Sequence, residues 1–260
     1  MNKPANDREF SCKQCLKEVD LGFDFTMAFQ PIVHCAERRI FGYEALVRGL
    51  QNESAYSIIS QVNDDNRYRF DQLCRIKAIA LAAKLHLSSM LSINFLPNAI
   101  YRPERCIRTT LQAAQEHSFP IQQIMFEFTE VEKVADSQHI KHIVEYYKSL
   151  GFKTAIDDFG SGHSGLNLLA DFQTDIIKLD MELLRNIDKD PIRQIIVKHC
   201  VQMFQQLNII PLAEGVETRG EMKFLRTIGI ELMQGYYFAK PGFESLPEVD
   251  FSILDSCTEH

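Results

Sequence analysis

The feature that most constrains this chain is a regular alternation of short apolar runs with longer segments of helical spacing. The short runs are rich in Ile, Phe, Val, Leu and Tyr, as expected for strands buried on both faces of a parallel sheet. They lie at 26–33, 40–47, 91–95, 124–128, 153–156, 175–179, 209–213 and 232–238. Helical spacing is clearest at 70–85, 140–150 and 192–207.

The connections between these segments predict how the strands pair. Only residues 34–39 separate the first two runs, which is too short for a helical crossover and predicts an antiparallel hairpin. The later strand–helix alternation predicts parallel strands, and eight runs fit a closed α/β barrel, which typically takes about 250 residues. We therefore expect a polar leader at residues 1–20 and one barrel domain at 21–255 of the 260 residues.

Composition excludes several classes of function. A net charge of −7 and a pI near 5.6 argue against binding a nucleic-acid polymer, which usually needs a basic face. The seven cysteines are scattered and odd in number, which is typical of reduced thiols in a cytoplasmic protein. The first residues contain no apolar signal-peptide core, and no apolar run approaches the roughly 20 residues of a membrane helix. We expect a cytoplasmic protein with no membrane segment.

Polar side chains recur where the predicted strands end, the rim at which barrel enzymes build their sites. Any one acid after a strand is more often a helix cap or a solvated loop residue, but seven strand ends together favour a functional site. Carboxylate and amide oxygens form a hard ligand set that favours Mg²⁺ or Mn²⁺ over zinc. The residues are Glu44, Asn94, Glu127, Asp157 with Asp158, Lys178, Glu214 with Glu217, and Gln234.

The strings around these residues resemble the motifs of the EAL-domain family, the bacterial phosphodiesterases specific for cyclic di-GMP. The tripeptide Glu44-Ala45-Leu46 alone would be weak, but the other motifs follow it in family order over residues 23–243. They are Phe29-Gln30-Pro31-Ile32, Ser92-Ile93-Asn94-Phe95, Glu127-Phe128-Thr129-Glu130, Asp157-Asp158-Phe159-Gly160, Lys178-Leu179-Asp180, Glu214-Gly215-Val216-Glu217 and Gln234-Gly235-Tyr236.

The resemblance implies a modified (β/α)8 TIM-like barrel with one antiparallel strand, a homodimer, and two Mg²⁺ or Mn²⁺ ions that activate water to open cyclic di-GMP to linear pGpG. It implies catalytic roles for Glu44, Asp158, Lys178 and Glu214, with Lys178 orienting or helping to activate the water. The implied metal ligands are Glu44, Asn94, Glu127, Asp157, Asp158 and Glu214. The implied substrate contacts are Gln30, Arg48 and Gln234, and the implied supporting residues are Glu130, Asp180 and Glu217.

Two departures from the family pattern concern the surroundings of this set. In the loop 157–165, His163 and Gly165 stand where relatives often have Tyr and Ser, and Glu130 resembles the glutamate that anchors the loop. The chain also lacks the Trp and the His-Pro pair that often follow Arg48, which suggests a subclass that acts alone or is fused to a sensor. The Cys12–Cys15 pair has no second pair or nearby His, so we assign it no role.

Two other functions compete with the enzyme. A non-catalytic cyclic di-GMP receptor could use the same scaffold, but such proteins usually lose ligands or the lysine from their motifs. A protein-interaction regulator that binds no nucleotide predicts no complete acidic rim. The motif residues named above are all present, which favours an active phosphodiesterase.

Overall fold

The computed structural model describes residues 20–97, 100, 102–129, 137–161 and 165–255. Apart from Asp20, the predicted leader lies outside the described residues, as do Cys12, Cys15, Glu130 and His163.

The strands form one sheet that closes on itself. They are β1 Thr26–His34, β2 Arg39–Arg48, β3 Met90–Asn94, β4 Ile124–Thr129, β5 Lys153–Phe159, β6 Ile176–Leu179, β7 Ile210–Ala213, β8 Leu232–Met233 and β9 Gly242–Phe243. Strands β2 to β8 pair in parallel, and β1 closes the ring by pairing antiparallel with both β2 and β8. The predicted barrel and its antiparallel hairpin are therefore confirmed.

Two details of the sheet differ from the prediction. The eighth apolar run forms only the two-residue strand β8, because the chain turns away after Met233. The short strand β9 was not predicted, since Gly242 and Phe243 show no alternation of apolar and polar residues. It extends the sheet by pairing antiparallel with β1 at Ala28 and Phe29.

Helices cover the outside of the barrel. In the described part of the chain they are α1 Ala55–Ile59, α2 Arg67–Lys84, α3 Pro103–Cys106, α4 Arg108–Glu116, α5 Ser137–Ser149, α6 Gly165–Asp171, α7 Met181–Leu184, α8 Pro191–Gln206 and α9 Arg219–Thr227. The three predicted helices correspond to α2, α5 and α8, and Asp190 caps α8 just before Pro191 as expected. None of the helices that the structure describes is long and apolar enough to cross a bilayer.

The core has two layers, as a filled barrel requires. A small cluster of side chains points inward between the strands and plugs the barrel: Ile32, Met125, Ala155, Ile176, Leu212 and Leu232. A much larger apolar layer lies between the strands and the helices. Because the interior is filled, a site for a polar ligand must lie at one end of the barrel.

We predict that Leu212→Ala lowers the free energy of unfolding by about 2–5 kcal/mol, because it leaves a cavity in the barrel plug. Leu50→Ala is the matched control, since Leu50 is exposed and should change stability by less than about 0.5 kcal/mol. Urea unfolding followed by circular dichroism measures both. Equal losses in the two variants would contradict the assignment of Leu212 to the plug.

Candidate functional site

Four carboxylates converge on one fully buried ammonium group at the carboxyl end of the parallel strands. The Lys178 Nζ atom in β6 lies 2.8 Å from a Glu127 oxygen and 2.8 Å from a Glu214 oxygen. It lies 3.0 Å from Asp157 and 3.7 Å from Glu44. Four strands and the turn after a fifth therefore share one charge centre; we call these five side chains the lysine ring. Four acids face one ammonium group, so with every acid ionised the ring would carry an excess of negative charge, which protons or further cations must offset.

Amide side chains hold Glu44 in place beside the lysine. The Asn94 amide donates to one Glu44 oxygen at 2.8 Å, and the Gln234 amide donates to the other at 2.8 Å. Gln30 is the cross-strand partner of Glu44 and accepts from the Gln234 amide at 3.2 Å. With its amide nitrogen engaged in this way, Asn94 keeps its carbonyl oxygen for another partner.

Gln234 reaches the lysine ring because Gly235 follows it. A Cβ atom at Gly235 would lie 2.0 Å from the Val216 carbonyl oxygen, so only glycine allows the two backbones to approach this closely. The Val216 amide donates to the Gln234 carbonyl at 3.0 Å, which ties the chain after β8 to the turn that carries Glu214.

A bulge at the end of β5 brings two consecutive acids to the same site. In a regular strand, Asp157 and Asp158 would point to opposite faces. The register shifts between Ile156 and Phe159, and Asp158 adopts a left-handed backbone conformation with φ +54°. Asp tolerates this conformation better than most residues, and bulges of this kind re-aim side chains near active sites.

The acids of the lysine ring, together with Asp158, form two overlapping groups that could each hold a cation. Oxygens of Glu44, Glu127 and Asp157 lie within 4.8 Å of one another, and so do oxygens of Asp157, Asp158 and Glu214. Asp157 belongs to both groups. The second oxygen of Glu127, Oε1, is buried and has no hydrogen-bond partner among the described residues, although such an acceptor is costly to leave unpaired. This hard oxygen set fits divalent cations.

Burial and mutual repulsion shift the proton affinities of the acids upward. Burial raises the pKa of Glu127 to about 8, and the charges of Glu44 and Asp157 add to the effect. Burial also raises the pKa of Glu214 well above its usual range. For Asp158, burial and then the neighbouring Asp157 raise the pKa to about 6. These are the directions expected where acids crowd without a cation.

Lys178 shows the opposite balance. Its burial disfavours the ammonium form, but the surrounding carboxylates outweigh burial and hold the pKa of Lys178 well above its ordinary value. In this ring the lysine is therefore a cation that donates hydrogen bonds, and it has no lone pair with which to take a proton.

A cavity of about 300 Å³ opens onto the lysine ring. Of the predicted residues, Gln30, Glu44, Asp158, Asp180, Glu214, Glu217 and Gln234 line it. Asp180 is largely buried and caps α7 by accepting from the Glu182 amide at 2.8 Å. The prediction missed Met181 and Tyr236 as lining residues. The position of Tyr236 directly after Gln234 and Gly235 was the signal available in the sequence, whereas nothing in the sequence marks Met181.

Two predicted residues lie apart from the lysine ring. Glu217 is exposed on the cavity wall and pairs with Arg185, whose guanidinium lies 2.7 Å and 3.0 Å from the two carboxylate oxygens. Arg48 is on the same face of β2 as Glu44 but four residues further along, and its guanidinium donates to the Val47 carbonyl. The predicted anchor Glu130 and the variant loop residue His163 lie outside the described residues, whereas Gly165 begins α6.

A family model for the EAL domain matches residues 18–241. The chain belongs to the EAL domain family. Among curated proteins, this EAL domain is 33% identical over 223 residues to the blue light- and temperature-regulated antirepressor BluF of Escherichia coli, covering 85% of this chain and 55% of BluF. It is 39% identical over 140 residues to the cyclic di-GMP phosphodiesterase PdeR of the same organism, covering 54% of this chain and 21% of PdeR.

Solved structures agree with the barrel described above. A standalone versatile EAL protein from Vibrio cholerae O395, in its c-di-GMP-bound form, is 71% identical with a TM-score of 0.88, covering 91% of this chain and 100% of that one. The manganese and cyclic di-GMP complex of BlrP1 from Klebsiella pneumoniae is 35% identical with a TM-score of 0.82, covering 86% of this chain and 57% of that one. The modified TIM barrel is thus the fold of this EAL domain.

The matched region spans about half the length of BluF and about a fifth of PdeR. The relatives include a named phosphodiesterase and a named antirepressor. Members of the family therefore differ in function, and the activity of this chain depends on its own site.

We predict that Mn²⁺ stabilises the protein more at high pH than at low pH. A carboxyl whose pKa is raised on folding binds more protons in the folded chain, so metal-free stability falls as pH rises from about 4.3, the unfolded value for Glu, to about 8 for Glu127. A bound cation takes the place of those protons. The rise in melting temperature on adding Mn²⁺ should therefore be larger at about pH 8 than at about pH 6.

Differential scanning fluorimetry of the metal-free protein, with and without Mn²⁺, measures this dependence. Glu182→Gln is the control, because Glu182 is an exposed acid next to the cavity and belongs to neither acidic group. An equal or smaller Mn²⁺ effect at the higher pH would show that the acids do not exchange protons for the cation.

Proposed function

We propose that this EAL domain hydrolyses cyclic di-GMP to linear pGpG with Mg²⁺ or Mn²⁺, using two ions per active site. The observation that carries the proposal is the lysine ring with the adjacent Asp158, in which two acidic groups share Asp157 beside the buried Lys178 ammonium at an open cavity. The c-di-GMP in the Vibrio cholerae relative and the manganese with cyclic di-GMP in BlrP1 support this substrate and this kind of cofactor.

The acids and Asn94 would hold the ions. Glu44, Glu127 and Asp157 form one group of ligands and Asp157, Asp158 and Glu214 the other, with the Asn94 carbonyl oxygen beside Glu44. When bound, divalent cations supply a nucleophilic water at neutral pH and positive charge for the phosphate oxygens. The water oxygen bonds to one phosphorus, the bond to the ribose 3′-oxygen breaks, and that oxygen leaves with a proton as the 3′-hydroxyl.

Lys178 and the predicted residues around the ring orient the reactants. Lys178 is protonated, and its three N–H groups face Glu127, Glu214 and Asp157 at 2.8 to 3.0 Å. When these carboxylates turn to bound cations, an N–H group would be released to orient the water and stabilise developing negative charge. Asp180 supports Lys178 by starting α7 directly after β6. Gln30 and Gln234 line the cavity where the nucleotide would enter, and Arg48 would meet a phosphate as a planar donor once released from its own backbone contact.

A second candidate function is regulation by binding alone. BluF, which is named an antirepressor, aligns with 85% of this chain, so an EAL domain that regulates without cleaving cyclic di-GMP is a specific alternative. The complete lysine ring favours the enzyme, because a receptor needs no buried lysine among metal-binding acids.

Two further expectations stay predictions. The cytoplasmic location is an expectation from the sequence alone. The homodimer is supported by three isoleucines on α8, Ile192, Ile195 and Ile196, which are 71%, 60% and 44% exposed. Side chains of this kind are typically buried when two subunits associate.

We predict that purified protein converts cyclic di-GMP to pGpG in Mg²⁺ or Mn²⁺ and stops when EDTA is added. Glu44→Gln keeps the size of the side chain but removes a charged ligand, so turnover should fall by at least about 100-fold. Glu182→Gln is the control and should keep wild-type turnover. Chromatography of the nucleotides measures both, and binding of unchanged cyclic di-GMP after long incubation would favour the receptor.

We also predict that Lys178→Met lowers kcat by about 10²–10³-fold, the range expected for losing a donor that stabilises charge at a reacting atom. KM should change little, because the buried lysine contacts the water and not the bases of the nucleotide. A rise in KM with unchanged kcat would instead assign Lys178 to substrate binding.

A further inference from the structure

A second buried ion pair lies in α2, outside the lysine ring. The Arg75 guanidinium lies 2.6 Å from an Asp71 oxygen, and both side chains are almost fully buried, at 1% and 2% exposure. Arg75 also donates to the Thr110 hydroxyl at 3.2 Å in α4. Among the ion pairs of the described residues, only this pair and the pairs of Lys178 with Glu44 and Glu127 are buried on both sides.

Such a pair is a weak source of stability. Removing two charges from water costs about as much as their attraction returns, so apolar residues of similar volume often serve as well or better. Since α2 and α4 could pack through apolar contacts alone, the ion pair calls for an additional role.

The second oxygen of Asp71 reaches the end of β3. It accepts a hydrogen bond from the Leu96 backbone amide at 3.0 Å, two residues after Asn94. The intervening Phe95 amide donates to the Glu127 carbonyl at 2.9 Å. The backbone that leaves Asn94 is thus held from two sides, by β4 and by the Asp71 carboxylate, and Arg75 fixes the rotamer of that carboxylate.

The space beside this backbone explains why a clamp matters. A mainly apolar cavity of about 150 Å³ lies between α2 and strands β1 to β3, and both Asn94 and Leu96 line it. Without the Asp71 hydrogen bond the end of β3 could shift into this space. A shift of less than an ångström would already misplace a metal ligand.

We infer that Asp71 is a positioning residue for Asn94. Asp71 acts on the metal site through the Leu96 amide, and Arg75 holds Asp71 in place. The inference rests on the proposed function, because it assigns the Asn94 carbonyl oxygen to a bound divalent cation. Asp71 belongs to neither acidic group of the site, and it reaches the end of β3 through the hydrogen bond from the Leu96 amide.

Four proteins test the inference by Mn²⁺ binding in the absence of nucleotide. Asp71→Leu removes the clamp but leaves Arg75 buried and unpaired, so its fold is weakened. The double variant Asp71→Leu/Arg75→Met removes both charges and should regain the wild-type unfolding midpoint. Ile79→Ala is the control for instability alone, because Ile79 is a fully buried residue of α2 in the apolar layer. Wild type is the reference.

Electron paramagnetic resonance of free Mn²⁺ gives the dissociation constant of each protein, and urea unfolding gives its stability. We expect Mn²⁺ to bind about 10–100-fold more weakly to both Asp71 variants, the loss usual when an outer residue that orients a ligand is removed. The Ile79→Ala protein should lose stability and keep its Mn²⁺ affinity. A double variant with wild-type affinity would overturn the inference, since the ion pair would then be structural only.

The result also separates this inference from the proposed function. If wild type binds Mn²⁺ but leaves cyclic di-GMP intact, the enzyme proposal fails while the positioning role can still be confirmed. If wild type hydrolyses cyclic di-GMP and the Asp71 variants keep their Mn²⁺ affinity, only the positioning role fails. A wild type that binds no Mn²⁺ would overturn both.

Discussion

Four carboxylates around the single ammonium group of Lys178 form the interaction on which the rest of this structure depends. A lysine with no exposed surface is rare unless it is paired, and carboxylates this crowded repel one another unless a cation lies between them. One lysine can neutralise only one of the four acids, so without a further cation some of them hold protons. This is the physical reason to expect divalent cations, and the barrel provides the rigid walls that keep the acids from moving apart.

The barrel achieves this by bringing strand ends from distant parts of the chain to one rim. The antiparallel β1 places Gln30 opposite Glu44, so the first hairpin contributes to the site as well as closing the ring. The bulge in β5 adds a second acid where a regular strand offers one. Outside the ring, the buried Asp71–Arg75 pair connects α2 to the site, because the Asp71 carboxylate accepts a backbone hydrogen bond from the end of β3.

Much of this could be predicted from the sequence because it depends on local patterns. Strands buried on both faces give continuous apolar runs, and the connection 34–39 allows only a hairpin, so the barrel and its antiparallel strand were predictable. The acids of the ring and the amides beside it were predicted at or near strand ends, although Glu44 lies within β2 and not at its end. The family motifs then gave each residue an expected role.

The remainder depends on tertiary contacts that no local pattern encodes. No local pattern predicts the left-handed conformation of Asp158. The Glu217–Arg185 salt bridge and the hydrogen bond from Leu96 to Asp71 each join segments with no periodic relation. Short elements such as β9 and α9 were missed, since β9 has two residues and the Thr218–Glu221 capping box of α9 was not used as a helix signal.

The central claim is that the acids of the lysine ring, together with Asp158, hold divalent cations in two overlapping groups. The most direct measurement is an anomalous difference map, collected at the manganese edge from crystals grown with Mn²⁺ and cyclic di-GMP. The account predicts one peak among Glu44, Asn94, Glu127 and Asp157 and a second among Asp157, Asp158 and Glu214. A map with bound nucleotide and no manganese peak at either group would contradict it.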